Sequence, residues 1–307
     1  MADHSDKATR LRRLLLDPLV AAVVYPIYWF FALLPVGVAS ALGGMLGRLI
    51  GVLAPGLTRR ALRNITCALP ELPLERRKAI IRGMWDNLGR NLAEHPHIDR
   101  LWNDTSAARI EVVGGEHLRA LAAQEKHPCL IVSGHLANWE LLPSTGARHG
   151  LVMTLVYRQP NNPLIDHLMT GRRRAGGGRF LPKGQEAARA MVNTLLRGGS
   201  IAMLVDQKLN DGMPVPFFGR PAMTAPSLAQ LGLRYRCPVL VARCERLGGA
   251  RFRVSITPPE FVPDSGNREA DILAYMTRIN TLLESWIRER PEQWLWLHNR
   301  WPDQASD

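Results

Sequence analysis

The sequence predicts an α/β fold: a mainly parallel central sheet flanked by helices, with an N-terminal hydrophobic membrane-anchor helix. Three observations carry that expectation. From about residue 109 onward, short apolar runs alternate with longer amphipathic stretches, the pattern of strands joined by crossover helices. The 307 residues suffice for one large domain or two small ones, with room for a substantial core. No Asp, Glu, Lys or Arg occurs from Pro18 to Gly47.

Taken in order, residues 1–17 are polar and mixed in charge. The uncharged stretch 18–47 that follows is read as a membrane anchor, because about 20 apolar residues cross a bilayer and Tyr25, Tyr28, Trp29, Phe30 and Phe31 cluster in its densest part. Pro26 and Pro35 argue against a straight span, and a shallow, re-entrant or interfacial anchor is the alternative. A signal peptide needs a shorter apolar region, and a buried core helix would not call for the basic flanks. Arg48, Arg59, Arg60 and Arg63 follow the anchor without a nearby acid, which sets the main domain, 48–307, on the cytoplasmic side.

Within that domain, residues 48–100 form a basic helical part and 101–307 the α/β core. Residues 58–69 and 74–95 read as helices, the second with Ile80, Ile81, Met84, Leu88 and Leu92 at helical spacing. Their arginines suit either solvent or anionic headgroups. Expected strands are Ile110–Val113, Leu130–Val132, Leu151–Val156, Ile201–Val205, Val239–Ala242 and Phe252–Ile256, with helices at Gln185–Leu196, Ser227–Tyr235 and Asp271–Glu289 between and after them.

The net charge of +12 and a pI near 10.3 point to anionic partners: nucleic acid, anionic lipid or an acidic carrier protein. No nucleic-acid motif accompanies the charge. The four cysteines show neither a CxxC pair nor zinc spacing, so they read as buried free thiols in a reducing compartment. No HExxH, HxH or GxSxG occurs; no metal and no cofactor is expected.

The chemistry is expected around Ser133-Gly134-His135-Leu136-Ala137-Asn138-Trp139-Glu140. His135 falls where a strand breaks and a helix is expected to start. Five residues within one helix would hold His135 and Glu140 apart. If His135 precedes the helix and folds back, Glu140 can accept from one imidazole nitrogen and leave the other as a base for a hydroxyl. A capping histidine beside a solvated glutamate fits the same spacing. Arg158 and Asp206 also follow strands, where ligand crevices form in open α/β sheets. Arg172-Arg173-Arg174 before Gly176-Gly177-Gly178 reads as a mobile basic loop or an exposed turn. Pro216-Phe217-Phe218-Gly219 reads as an apolar wall, either of an acyl channel or of plain packing. Trp294, Trp296 and Trp301 read as core or as a cluster at the membrane surface, with core preferred, and His298 as structural. Candidate catalytic residues are therefore His135 and Glu140, and candidate substrate-binding residues Arg158, Asp206, Asn138 and Arg172.

The chain resembles the lipid A biosynthesis late acyltransferases, the lauroyl/myristoyl group of the His-x4-Asp/Glu acyltransferases. The resemblance rests on the anchor, Asn87-Leu88-Gly89-Arg90-Asn91-Leu92-Ala93-Glu94, the His135–Glu140 block, Val156-Tyr157-Arg158-Gln159-Pro160, Asn162-Pro163, Val205-Asp206-Gln207, Pro216-Phe217-Phe218-Gly219 and His298-Asn299-Arg300-Trp301. It implies an enzyme at the cytoplasmic face of the inner membrane. Acyl carrier protein would be the donor. The acceptor would be the hydroxyl of a 3-hydroxyacyl chain on a Kdo-bearing lipid A precursor, an anionic glycolipid. In that resemblance His135 is the catalytic histidine, Glu140 its carboxylate partner and Arg158 an active-site arginine. The same pair also suits acyl transfer to another membrane lipid, or a thioester hydrolase. Backbone N–H groups just after His135, with Arg158, are expected to hold the oxyanion.

Overall fold

The computed structural model describes residues 16–301, apart from 105–107, 127, 158, 176 and 183 and the side chains of 172–175 and 185. Seven strands form one sheet: β1 (Ile110–Val113), β2 (Cys129–Ser133), β3 (Met153–Tyr157), β4 (Arg179–Pro182), β5 (Ser200–Leu204), β8 (Val239–Gly248) and β9 (Arg251–Ile256), in the order β1-β9-β8-β2-β5-β3-β4. All neighbours run parallel except β8 and β9. Strands β6 (Met213–Phe217) and β7 (Arg220–Thr224) make a separate hairpin. Its turn residues Phe218 and Gly219 both have positive φ, 52° and 68°, as a tight right-twisted hairpin requires. The α/β class and mainly parallel sheet agree with the sequence; β4 and the hairpin were outside its expectations.

Strand β2 is buried at all five positions, as a central parallel strand covered on both faces must be. Leu130 and Val132 face one hydrophobic layer, while Cys129 and Ile131 face the other, which is the two-residue period of a strand. The first layer holds α3 (Pro55–Ala68), α4 (Leu74–Glu94), α10 (Ser227–Tyr235) and α11 (Arg268–Glu289), and with them Trp294, Trp296 and Trp301. These tryptophans are buried, and Phe217 stacks on Trp301 with ring centres 5.8 Å apart. The two phenylalanines of the Pro-Phe-Phe-Gly run are therefore part of the core, while Pro216 and Gly219 are exposed. The second layer holds α5 (Ile98–Asn103), α6 (Gly115–Ala122) and α7 (Leu141–Arg148). Helices α8 (Pro163–Ala175) and α9 (Gln185–Leu196) complete the βα crossovers. Arg172, Arg173 and Arg174 lie in α8, not in a basic loop; the helical period continues through them to Ala175.

The stretch expected to be a single anchor helix forms two helices, α1 (Asp17–Leu33) and α2 (Val36–Leu53), broken at Leu34-Pro35. Proline disfavours helix at the residue before it, and Pro35 instead precedes the first turn of α2. By length and composition α2 can cross a membrane; α1 is apolar but shorter. The last carbonyls of α1 are bound by the rest of the chain: His97 Nε2 lies 2.8 Å from Phe31 O, and Arg100 donates to Ala32 O at 2.8 Å. Helix α2 lies on α4 along a glycine seam. A Cβ at Gly47 would strike Trp85 O, one at Gly89 would strike Gly43 O, and one at Gly51 would enter the Trp85 ring. The remaining faces of α1 and α2 expose Leu19, Val23, Trp29, Phe30, Leu49 and Leu53, among others.

Candidate functional site

Strands β2 and β5 are paired neighbours, with Ser133 opposite Leu204. Two residues beyond that pair the register sets His135 against Asp206, at the carboxyl ends of the sheet. Val205 N–H donates to Ser133 O at 3.0 Å and keeps the two chains together past the strands. Asp206 then takes His135 by both ends. Its Oδ2 accepts the His135 backbone N–H at 2.7 Å, and its Oδ1 lies 2.7 Å from His135 Nδ1. Trp294 Nε1–H donates to the same Oδ2 at 2.7 Å. Gly134 leaves the room for this clasp, since a Cβ there would come within 3.3 Å of the Asp206 carboxylate.

Burial pushes the Asp206 carboxyl up, but the positive charge of His135 and the hydrogen bonds from His135 and Trp294 outweigh it and hold the group at about 2. An ionised Asp206 only accepts, so Nδ1 is the nitrogen that presents a proton to it. The placement of Gln207 fits that polarity. Its Nε2 stands 3.0 Å from His135 Nε2 and 2.8 Å from His298 Nε2. An amide nitrogen has two hydrogens to give, and here it offers one to each imidazole. The ring of Trp139 meets His135 edge-on, 5.1 Å between centres. His135 remains 16% exposed above an Asp206 that is 2% exposed.

The loop between His135 and α7 is irregular. The expected helix does not start directly after His135; it starts at Leu141. Leu136 instead bridges to Trp294, and Ala137 adopts a positive φ of 47°. A non-glycine residue there carries backbone strain on the order of 1–3 kcal/mol. The strain is held by Ala137 N–H to Gln293 O at 2.9 Å and by the amides of Asn87 and Asn91, which both donate to Ala137 O. The N–H groups of Leu136 and Ala137 are thereby consumed, by Gly134 O and Gln293 O, so they do not supply the oxyanion donors expected from the sequence.

Beneath the loop lies a buried ionic node. Arg246 donates to Glu94 through two nitrogens at 2.5 and 3.0 Å, to Asn91 Oδ1 at 2.6 Å and to Asn87 Oδ1 at 2.9 Å. Glu94 also accepts from Ser40 at 2.7 Å and from Asn138 at 2.9 Å. The Asn87–Glu94 block thus ties α2, α4, β8 and the His135 loop together.

The carboxylate on Nδ1 of His135 is therefore Asp206, whereas Glu140 sits half-buried at the N-cap of α7. Asp206 and Asn138 are enclosed by protein, and their partners are His135, Trp294 and Glu94. The sequence suggested contacts with substrate for both; in the structure each is buried, 3% and 0% exposed. Arg158 and the side chain of Arg172 lie outside the described residues; β3, which precedes residue 158, is the next neighbour of β5. Sequence reasoning set His298 aside as structural and gave Gln207 no role, yet Gln207 reaches the His135 imidazole and links it to His298, whose ring centre lies 6.0 Å from that of His135. Their signal was their place in the Val205-Asp206-Gln207 and His298-Asn299-Arg300-Trp301 runs. Burial pushes the thiol of Cys129 up to about 12, so the strand leading to His135 offers no thiolate.

Comparison with known proteins points the same way. The family model described as bacterial lipid A biosynthesis acyltransferase matches residues 6–303. The lipid A biosynthesis lauroyltransferase of Escherichia coli K12 is 28% identical over 282 residues, covering 89% of this chain and 88% of the relative. The palmitoleoyltransferase of the same strain is 28% identical over 286 residues, with 89% and 88% covered. Its myristoyltransferase is 24% identical over 263 residues, with 82% and 77% covered. With a match running almost from end to end, the chain belongs to the bacterial lipid A biosynthesis acyltransferases.

Proposed function

We propose that this enzyme moves a fatty acyl group from acyl carrier protein to the hydroxyl of a 3-hydroxyacyl chain on a Kdo-bearing lipid A precursor. The reaction is proposed to occur at the cytoplasmic face of the inner membrane. The observation that carries the reading is the imidazole of His135, clasped by Asp206 so that Nε2 is the acceptor. In this reading the acceptor hydroxyl takes the place of the Gln207 amide at Nε2. His135 removes its proton as the oxygen attacks the thioester carbonyl, and Asp206 stabilises the imidazolium. The tetrahedral oxyanion collapses, the carbon–sulfur bond breaks, and His135 returns the proton to the departing thiolate. Direct transfer needs no enzyme nucleophile.

Arg158 and Glu140 are proposed to serve the reacting groups, Arg158 as a donor to the oxyanion. Membrane attachment is proposed through the exposed apolar faces of α1 and α2. A contiguous apolar surface of that kind marks an interaction site, and the basic residues behind it suit anionic headgroups. The three named relatives differ in acyl group, so membership alone leaves chain length open. The test is mass spectrometry of the lipid product after incubation with a panel of acyl carrier protein thioesters and the Kdo-bearing precursor, beside His135→Ala. One added acyl group, absent with the variant, is the expected result. Transfer to a phospholipid or to water would overturn the acceptor, and a fully active His135→Ala would overturn the mechanism.

A further inference from the structure

On the far side of the His135 loop lies a second concavity, a cleft of about 740 Å³. Five arginines from four parts of the chain face it: Arg48 of α2, Arg82 and Arg90 of α4, Arg246 of β8 and Arg290 just past α11. The carboxylates in its lining are those of Asp86 and Glu292. Their distribution leaves positive charge over. Arg246 is matched by Glu94 behind the wall. Arg48 and Arg90 share the one carboxylate of Asp86, Arg90 through Nε at 2.5 Å. The Arg82 and Arg290 side chains have no hydrogen bond or ion pair among the described residues. Several guanidinium groups converging with too few carboxylates is the arrangement that takes a phosphate, whose oxygens accept in pairs from the guanidinium fork.

The surroundings say what carries the phosphate. Arg48 stands on α2 beside exposed Met45 and Val52, three and four residues away on the same face. An apolar surface that meets an arginine floor matches a lipid, with chains along the helix and the phosphate at the arginines. An acidic protein partner would find charge there but would leave Met45 and Val52 uncovered. We propose that the cleft is a phosphate site for a lipid whose chains lie along α2, separate from the site at His135. The proposal rests on the reading of α1 and α2 as a membrane surface. Two lining residues, Asn87 and Gln293, also hold the backbone of Ala137, so the bound phosphate would stand against the back of the His135 loop.

The test compares the full chain with Arg82→Gln/Arg290→Gln, which touches neither His135 nor the buried node. A matched pair, Arg197→Gln/Arg268→Gln, removes two exposed charges outside the cleft. Binding is measured by sedimentation with phosphatidylcholine vesicles, with and without phosphatidic acid. An arginine near an anionic surface contributes roughly fivefold, so the cleft pair is expected to lose about 25-fold of the binding that depends on phosphatidic acid. Binding to phosphatidylcholine alone should not change, and the matched pair should lose far less. Equal losses in both pairs, or none in the cleft pair, overturn the proposal. If the wild type ignores every vesicle, the membrane reading falls by itself. The cleft is then judged by thermal stabilisation with a water-soluble short-chain phosphatidic acid: stabilisation of the wild type but not of the cleft pair keeps the site, and its absence removes it. Equal stabilisation by inorganic phosphate, or a cleft pair that loses only acyl carrier protein, overturns the lipid assignment.

Discussion

Asp206 decides which nitrogen of His135 is basic. Asp206→Asn keeps the shape but can donate to Nδ1, which moves the ring proton to Nε2 and removes the base. By the precedent of catalytic triads, turnover should fall by about 10⁴-fold. Glu140→Gln, measured beside it, should lose less; a larger loss in Glu140→Gln would return the orienting role to Glu140. That distinction was not legible in the sequence. His135 and Glu140 stand five residues apart and catch the eye, while Asp206 lies 71 residues beyond His135. Only the strand order, which sets β5 directly beside β2, makes those two neighbours. The turn chemistry at Ser133-Gly134 was legible, because an apolar run broken by glycine marks a strand end whatever lies next to it. Gln207 and His298 were visible as parts of motifs but not as partners, since nothing local relates residue 207 to residue 298.

At the scale of elements, the Glu94–Arg246 node joins α4 to β8 under the strained loop. Removing one member of a buried ion pair leaves the other charged and unmatched, which costs about 3–5 kcal/mol. Arg246→Met should therefore lower the thermal midpoint markedly, and adding Glu94→Gln should restore part of the loss. If Arg246→Met left both the midpoint and the turnover unchanged, the node would not be what holds Ala137. Elements with strong periodicity, such as α4 and α11, were read within a few residues of their ends. Those that failed had weak patterns. Strand β4 is four residues long with exposed ends. The β6–β7 hairpin contains Pro214, Pro216 and Pro221, which look like loop residues because proline takes no part as a donor in a ladder. Pro35 argued against a straight span through 18–47, but the stretch still looked like one element because no polar residue marks a boundary at Leu34-Pro35.

For the molecule as a whole, acid is the sensitive direction. The carboxyl of Asp206 is held at about 2 against an ordinary 3.8. A depressed folded value stabilises the protein above the unfolded value, and that stability is lost as pH falls from about 4 towards 2. The loss is on the order of 2 kcal/mol, and it comes on top of growing self-repulsion in a chain already at +12. Denaturant titrations between pH 5 and pH 2 should show it in the wild type and not in Asp206→Asn, from which the titrating group is gone. A parallel acid response in the two proteins would mean that other carboxylates govern it. Fold class and basic character were readable at this scale because both are sums over many residues and survive errors at any one of them.

The glycine seam between α2 and α4 also bears on how the protein is made. The apolar helices leave the ribosome first, and the surface that receives α2, Trp85 to Gly89, follows some forty residues later. Until α4 has been synthesised and folded, the bare glycine face of α2 has nothing to close on, and its backbone stays open to chaperones or to lipid. Docking is then a zipping step between a nascent apolar hairpin and a basic helix, and it cannot precede the release of residue 89. A helix committed to the bilayer before that moment would have to be drawn back onto the domain. Order of synthesis thus sets the earliest moment at which α2 can close on the rest of the chain.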